Sequence, residues 1–546
     1  MWGILSAGGR RMSLKENWNI EIPADTAEVG GAILKADSPY RLIGERINAL
    51  LHMTDFEDLY SKIGRGAICP IILALVTVFQ YLERIPDRVA AEWVVTRLDW
   101  KYALHLGLKA QGFHFSDLSN FRQRLLEHEA ERLIFDKVLQ WVRVCGMLRK
   151  YGRQRTDSTH VLGAVECLTR LEMVWETLRT TIAALEKQVP TWYTPVIPAA
   201  FAETYGKRRS EWKVSEEETA KELQQAGRDG FWLLAQLDQG APEVALALPE
   251  VQTLRQVWQQ EFTWDEKREE IGPPPPKRRG DGKERIVTPH DPEVRWSKKR
   301  DTEWRGYKLQ VTETAEEENP VQFITDIDIT GACDHDSEAL PEIHQRLDER
   351  DLCPQEHYVD QGYPSGPNLA QSHARHIELI GPVSSDTNKK PAGYQQTDFD
   401  VDMSQHRAVC PHGKVADRWY PRPTPDGYAG AEIYFGKQCE GCPARELCAP
   451  GKQGRTLNIN PYHELLAARR AEQKTEAFKQ QMHRRAAVEG TVSELTRAHG
   501  ARRARYRGLA KVRLQALFTG AAANVKRLAR ALAEQQTHKK SEMAYA

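Results

Sequence analysis

No run of apolar residues here is long enough to cross a bilayer. The longest, 68–79, contains a proline and reads as a buried helix. Cysteine is scarce and scattered. Nine occur in 546 residues, five of them isolated, which excludes a disulfide framework and fits a reducing compartment. Net charge is also missing, with 76 Lys and Arg against 76 Asp and Glu, so bulk charge excludes no partner. There is no tandem repeat and no long low-complexity tract. The first fifteen residues have no basic region before their short apolar start, so no secretory signal is expected and a cytoplasmic location is.

Charge is present, but segregated. Residues 461–546 hold 18 Lys and Arg against 7 Asp and Glu, whereas 161–270 hold 12 against 19. Such separation points to a nucleic-acid face and an acidic module elsewhere. The length calls for three or more modules.

Along the chain, 1–39 shows little periodicity and is expected to be flexible. Residues 40–150 read as a helical domain for DNA binding or dimerisation. Within it, Asp87 is an expected N-cap, and the helix beginning SDLSNFRQRLL at Ser116 starts with a polar cap. Either these helices form a helix-turn-helix whose Arg122 and Arg124 touch DNA, or they form a plain bundle with an arginine-bearing surface. Residues 151–164 turn β-like. Residues 165–300 are a helical insertion closed by the linker GPPPPKRRGDGK, which polyproline geometry keeps extended. GYKLQVTE and VQFITDIDIT alternate in polarity around an acidic turn and read as a hairpin. A helix at 337–350, a strand ending at Asp360, a helix at 367–376 and a strand at 377–382 follow. Residues 385–455 are loop-rich and hold the clustered cysteines. Residues 456–536 are nearly all helix, followed by a tail at 537–546. Without the two insertions, 151–164, 301–384 and 456–536 make a mixed α/β core, in a multidomain α+β chain.

Three acids stand out. Glu489 sits on an expected helix whose next turns carry Arg497, Arg502, Arg503, Arg505, Arg507, Lys511 and Arg513. A carboxylate among so many cations suggests a metal held beside a polyanion. Asp157 and Asp360 occupy contexts suited to strand ends, where a short side chain fixes a metal well. Phosphodiester cleavage needs an activated water and a stabilised leaving oxygen, and two divalent ions about 3.5–4 Å apart serve both. Mg²⁺ takes oxygen ligands and few carboxylates. Arg485, four residues before Glu489, points the same way and suits either the carboxylate or a phosphate. Glu494 lies about 140° further around the helix, so it does not share a site with Glu489. Asp326 and Asp328 share one strand face, expected beside the Asp157 strand. Lys277–Arg279 and Lys298–Arg300 are further phosphate candidates, and Tyr506 suits stacking on a displaced base.

Cys410, then Cys439, Cys442 and Cys448, have the spacing of a structural Cys₄ zinc site, with His412 as an alternative ligand.

These segments resemble insertion-sequence transposases with a DDE triad on a ribonuclease H-like core. The carrying motifs are RTDSTHV, YVDQGYPSG and RRAAVEGTVSEL, with GYK at 306 and DHDS at 334. The resemblance implies catalytic roles for Asp157, Asp360 and Glu489, and two Mg²⁺ (or Mn²⁺) ions held by them. It also implies double-stranded DNA as partner, both element ends and target, and at least a homodimer on that DNA. No membrane role is expected, and a bacterial cytoplasm in contact with the nucleoid is. Of the related Tyr–Arg–Glu–Lys signature, Arg485 and Glu489 are in place, while Met482 and Thr496 occupy the other positions. Two rivals remain: a ribonuclease H-like nuclease without strand transfer, and an inactive DNA-binding protein derived from a mobile element.

Overall fold

The computed structural model describes residues 12–14, 17–206, 215–265, 270–276, 280–319, 321–385, 393–449 and 451–545. The N-terminal layer contains α1 (Pro70–Glu83), α2 (Ser116–Glu127) and α3 (Leu133–Val144). Proline at its first position starts α1, and Arg84 in the left-handed region (φ 59°) ends it. Almost every side chain of α1 is buried, which explains its unbroken apolar sequence.

The strand β1 (Arg153–Leu162) leads into the insertion helices α4 (Arg170–Gln188), α5 (Glu216–Gly240) and α6 (Pro249–Glu261). Reciprocal capping boxes start α4 (Thr169 with Glu172) and α5 (Ser215 with Glu218). The insertion buries its own core around Val174, Leu178, Leu233, Val257 and Trp258. The chain returns through β2 (Arg295–Lys299), β3 (Thr302–Thr314) and β4 (Ile324–Gly331). Then come α7 (Asp336–Glu349), β5 (Glu356–Tyr358), α8 (Gly366–Ala374) and β6 (Glu378–Ile380). The C-terminal part is α9 (Glu476–Ala486), α10 (Val488–Arg497) and α11 (Leu509–Tyr545).

The central sheet runs β6-β5-β1-β3, with β2 and β4 sharing the far side of β3. β1 is antiparallel to β3 from Gln154↔Thr314 to Leu162↔Gly306. β5 is parallel to β1, but only from Arg153↔Glu356 to Arg155↔Tyr358. β6 is parallel to β5. The expected hairpin is therefore present, but β4 does not adjoin β1, because β3 lies between them. Asp326 and Asp328 are accordingly buried away from Asp157. Arg132, Arg346 and Arg350 pair with Asp326, and Arg346 and Arg513 with Asp328. Burial pushes Asp326 up, yet the three guanidiniums hold it below the usual carboxylate range.

One core joins the N-terminal helices, the sheet and α11. α11 packs on α1, α3 and β4. Gly520 permits the close approach, since a Cβ there would stand 2.9 Å from Phe135 and 3.1 Å from Ile327. Buried Asn524 pairs with the backbone of Ile324, accepting from its N–H (2.9 Å) and donating to its carbonyl (2.8 Å).

Four expectations change. Segment 1–39, read as flexible, holds the helix Ala24–Ile33, with Thr26 buried, while 1–11 and 15–16 lie outside the described residues. Asp87 is not a side-chain cap; it sits in the first helical turn and binds Gln80 and Arg122. Twelve residues separate the helix Leu98–Ala103 from α2, so no tight helix-turn-helix forms there. The loop-rich 385–455 contains antiparallel strands, Arg418–Pro423 and Ala429–Tyr434 among them, and the latter pairs with Thr456–Ile459 just beyond, around Ile433, Phe435 and Leu457.

Asn524→Ala strands both backbone groups of Ile324 in a dry core. A loss of about 1–3 kcal/mol is expected, visible as a lower melting temperature at unchanged secondary structure.

Candidate active site

Asp157 lies inside β1 rather than at its end. The strand nevertheless opens there, because β5 pairs with β1 only as far as Arg155. From Asp157 to His160 one edge of β1 borders a cleft of about 420 Å³. Asp360, two residues beyond β5, lines the same cleft, together with Lys299, Arg300, Trp304, Lys308 and Arg485. Asp360 accepts the Gly362 N–H (2.9 Å), which fixes the turn after the strand. Glu489 is in the first turn of α10 and is 68% exposed.

Arg485 connects the acids. It forms an ion pair with Asp157 Oδ1 (2.8 Å) and donates to Glu489 Oε1 (3.3 Å). Burial pushes the Asp157 carboxyl up and nearby Asp360 adds to this; Arg485 pulls it down, and the net position is above the ordinary range. The helix expected to run through both residues breaks at Ala487, between α9 and α10.

Glu494 is elsewhere, as its helical offset implied. It pairs with Arg527 (2.7 Å) and His499. Burial pushes it up, but His499 and Arg527 outweigh this and hold it at about 2.

Lys308 was not singled out as a site residue. It sits across from His160 in the β1–β3 register, lines the cleft and pairs with Asp336 (3.1 Å). Only long-range register places it there, which local periodicity does not carry. Burial lowers His160, whose ring tilts against Trp304 at 5.5 Å.

The basic run is not helical between α10 and α11. It crosses from β1 to the N-terminal layer as an irregular segment, bridged Leu162↔Arg503. Arg502 donates to Thr159 and His160, Arg505 to the Ile85 carbonyl, and Arg507 to the Ala164 carbonyl. Arg497, Arg503, Arg505, Arg507 and Lys511 are exposed. Arg122 is a correction: it is 6% exposed and bound to Asp87 (2.6 Å), leaving no face for a phosphate. Arg124 lies over the Tyr60 ring. Tyr506 is likewise occupied, touching the Tyr81 hydroxyl and lying beneath Arg122. Lys277–Arg279 lie outside the described residues.

Cys410, Cys439, Cys442 and Cys448 line one cavity of about 20 Å³. The Lys414 N–H donates to Cys410 Sγ and the Arg455 N–H to Cys439 Sγ, each at 3.3 Å. Burial and the other three sulfurs push the Cys448 thiol up. His412 is engaged by the Tyr394 hydroxyl (3.0 Å). As the side chains stand, no group of three or more His, Cys, Asp or Glu among the described residues is arranged to hold a metal ion.

The cleft sets Asp157 and Asp360 among Lys299, Arg300, Lys308 and Arg485, beside an exposed row of arginines, a charge pattern suited to a nucleic-acid-processing protein. The comparisons make this specific. Residues 409–529 match the family described as Transposase DDE domain, and residues 29–124 match Transposase domain (DUF772). The chain carries both transposase domains, which support an insertion-sequence transposase of the DDE class, the family its motifs resemble. The first match includes Glu489; Asp157 and Asp360 lie outside both. No curated protein and no solved structure matches the chain. Among the described residues, no helix is long and apolar enough to cross a membrane.

Glu494 supplies stability that is fully present above about pH 4.5 and is lost as pH falls toward about 2. Thermal melts of wild type and Glu494→Gln should therefore converge over that window and differ above it. Parallel curves would refute the assignment.

Proposed function

We propose that this transposase cuts DNA at element ends and joins the freed 3′-hydroxyl to target DNA, using Asp157, Asp360 and Glu489. The observation that carries the reading is the position of Arg485, which touches Asp157 and Glu489 in a cleft that Asp360 also lines. Sheet topology supports it as well. Three antiparallel strands (β1, β3, β4), followed by two parallel to the first (β5, β6), are the arrangement expected of a ribonuclease H-like core.

The three carboxylates suit a pair of Mg²⁺ or Mn²⁺ ions, which when bound activate a water and stabilise the leaving oxygen. The chain's own residues do the rest. Asp360 is fixed by its turn and Asp157 by the sheet. Lys299, Arg300 and Lys308 present cations to the strand entering the cleft. Arg497, Arg503, Arg505, Arg507 and Lys511 neutralise the duplex backbone beyond it. Two ends processed together imply a homodimer on double-stranded DNA.

The four cysteines support a structural zinc. Four thiols facing one cavity, two of them accepting backbone N–H groups, are suited to a tetrahedral thiolate site, and the cavity has room for a single small ligand. The zinc would brace the small sheet and would take no part in catalysis. Metal analysis should find about one zinc per chain, absent from a Cys439→Ser, Cys442→Ser double variant. Zinc-free wild type would end that part of the reading.

The test of the main reading is a duplex carrying a 3′-hydroxyl end, incubated with plasmid and Mg²⁺. Joined products are expected from wild type. Asp157→Asn, Asp360→Asn and Glu489→Gln should each lower cleavage by at least ~10²-fold while duplex binding persists. Cleavage without joining would instead favour a hydrolytic nuclease, and unaltered activity in all three variants would remove the triad.

A further inference from the structure

Between Asp157 and Glu489 stands a guanidinium. The Arg485 side chain is 15% exposed, and Asp157 is 13% exposed. Arg485 Nη2 takes an Asp157 oxygen and Nη1 a Glu489 oxygen, while its buried Nε has no partner. Asp157 Oδ1 also accepts the Ser158 N–H (2.8 Å), so one oxygen is shared between the backbone and Arg485. Glu489 projects from a short helix separated from Arg485 by the break at Ala487.

A guanidinium does not deprotonate in a protein. It therefore cannot vacate these oxygens by losing its charge. A cation that takes these same two oxygens displaces it. Lys299 and Arg300 line the same cleft as Arg485. A phosphodiester there offers the planar, two-pronged acceptor that a guanidinium matches best.

We propose that Arg485 is an exchangeable counter-cation. In the free protein it holds Asp157 and Glu489 in position in place of divalent ions; on loading, it passes to a DNA phosphate. The inference rests on the reading above that these acids are ion ligands. It makes Arg485 a positioning residue for the acids and couples two binding events. Ions release the guanidinium for DNA, and DNA draws it away from the ion ligands, so each tightens the other by the same factor.

The test is calorimetric titration of the full-length protein with Mn²⁺ alone, with and without a short duplex, in buffer lacking other divalent ions. Wild type should bind Mn²⁺ in a manner abolished by Asp157→Asn, and duplex should tighten that binding. Arg485→Met should tighten Mn²⁺ binding without DNA by about tenfold, within the usual range for coupled sites, and should lose the enhancement by duplex. Its duplex affinity should fall, with the salt slope reduced by about one. Should Arg485→Met fail to fold, Arg485→Lys, which keeps a cation but not the two-pronged contact, should show the same signs at smaller size. Unchanged or weaker Mn²⁺ binding in the Arg485 variants, with Asp157→Asn still abolishing it, overturns the exchange. Mn²⁺ binding indifferent to Asp157→Asn overturns instead the ligand assignment beneath it.

Discussion

The candidate site exists because two neighbouring strands differ in length. β1 has ten residues and β5 pairs with only three of them. Past Arg155 no strand among the described residues lies beside this edge of β1, and the cleft occupies that gap. The unpaired edge would be a liability on a free surface. Here Asp157 meets a helix-borne guanidinium, and farther along the Arg503 segment forms a bridge to Leu162. The features read as functional thus also close the sheet.

Around that gap, buried charge holds neighbouring elements together. Asp326 and Asp328 join β4 to α7, the N-terminal layer and α11 through arginines from each. Glu313 does the same on β3, bound by Arg155 and Arg527 and by Thr491 of α10. Such networks are costly to assemble and costlier to leave half paired. They explain why helices distant in sequence keep a fixed place relative to the sheet, and hence why Glu489 approaches Asp157 at all.

What could be read from sequence follows the range of the determining forces. The β3–β4 hairpin announces itself by alternation around an acidic turn, and α7 and α8 by periodicity and caps. The 498–508 segment misleads, because arginine favours helices. Gly500 and Gly508 at positive φ and the bonds from Arg502 to β1 override that preference. Arg122 looks like a surface arginine until Asp87, thirty-five positions earlier, is seen to bind it. The strands of the small sheet beside the cysteines are short, and one of them includes Pro421 and Pro423, so no strand-like sequence pattern develops. Arg485 beside Glu489 was legible from their four-residue spacing; its contact with Asp157, more than three hundred positions earlier, is a product of the fold.

α11 carries a consequence for how the chain comes into being. The layer between the N-terminal helices and the sheet is filled largely by residues 512–531, which follow both in the chain. Until they arrive, α1, α3 and β4 have no common partner, and their apolar faces stay open to solvent or chaperones. A nascent chain halted before this helix keeps its N-terminal helices and its sheet unjoined. Docking of the N-terminal helices onto the sheet therefore waits for this one helix.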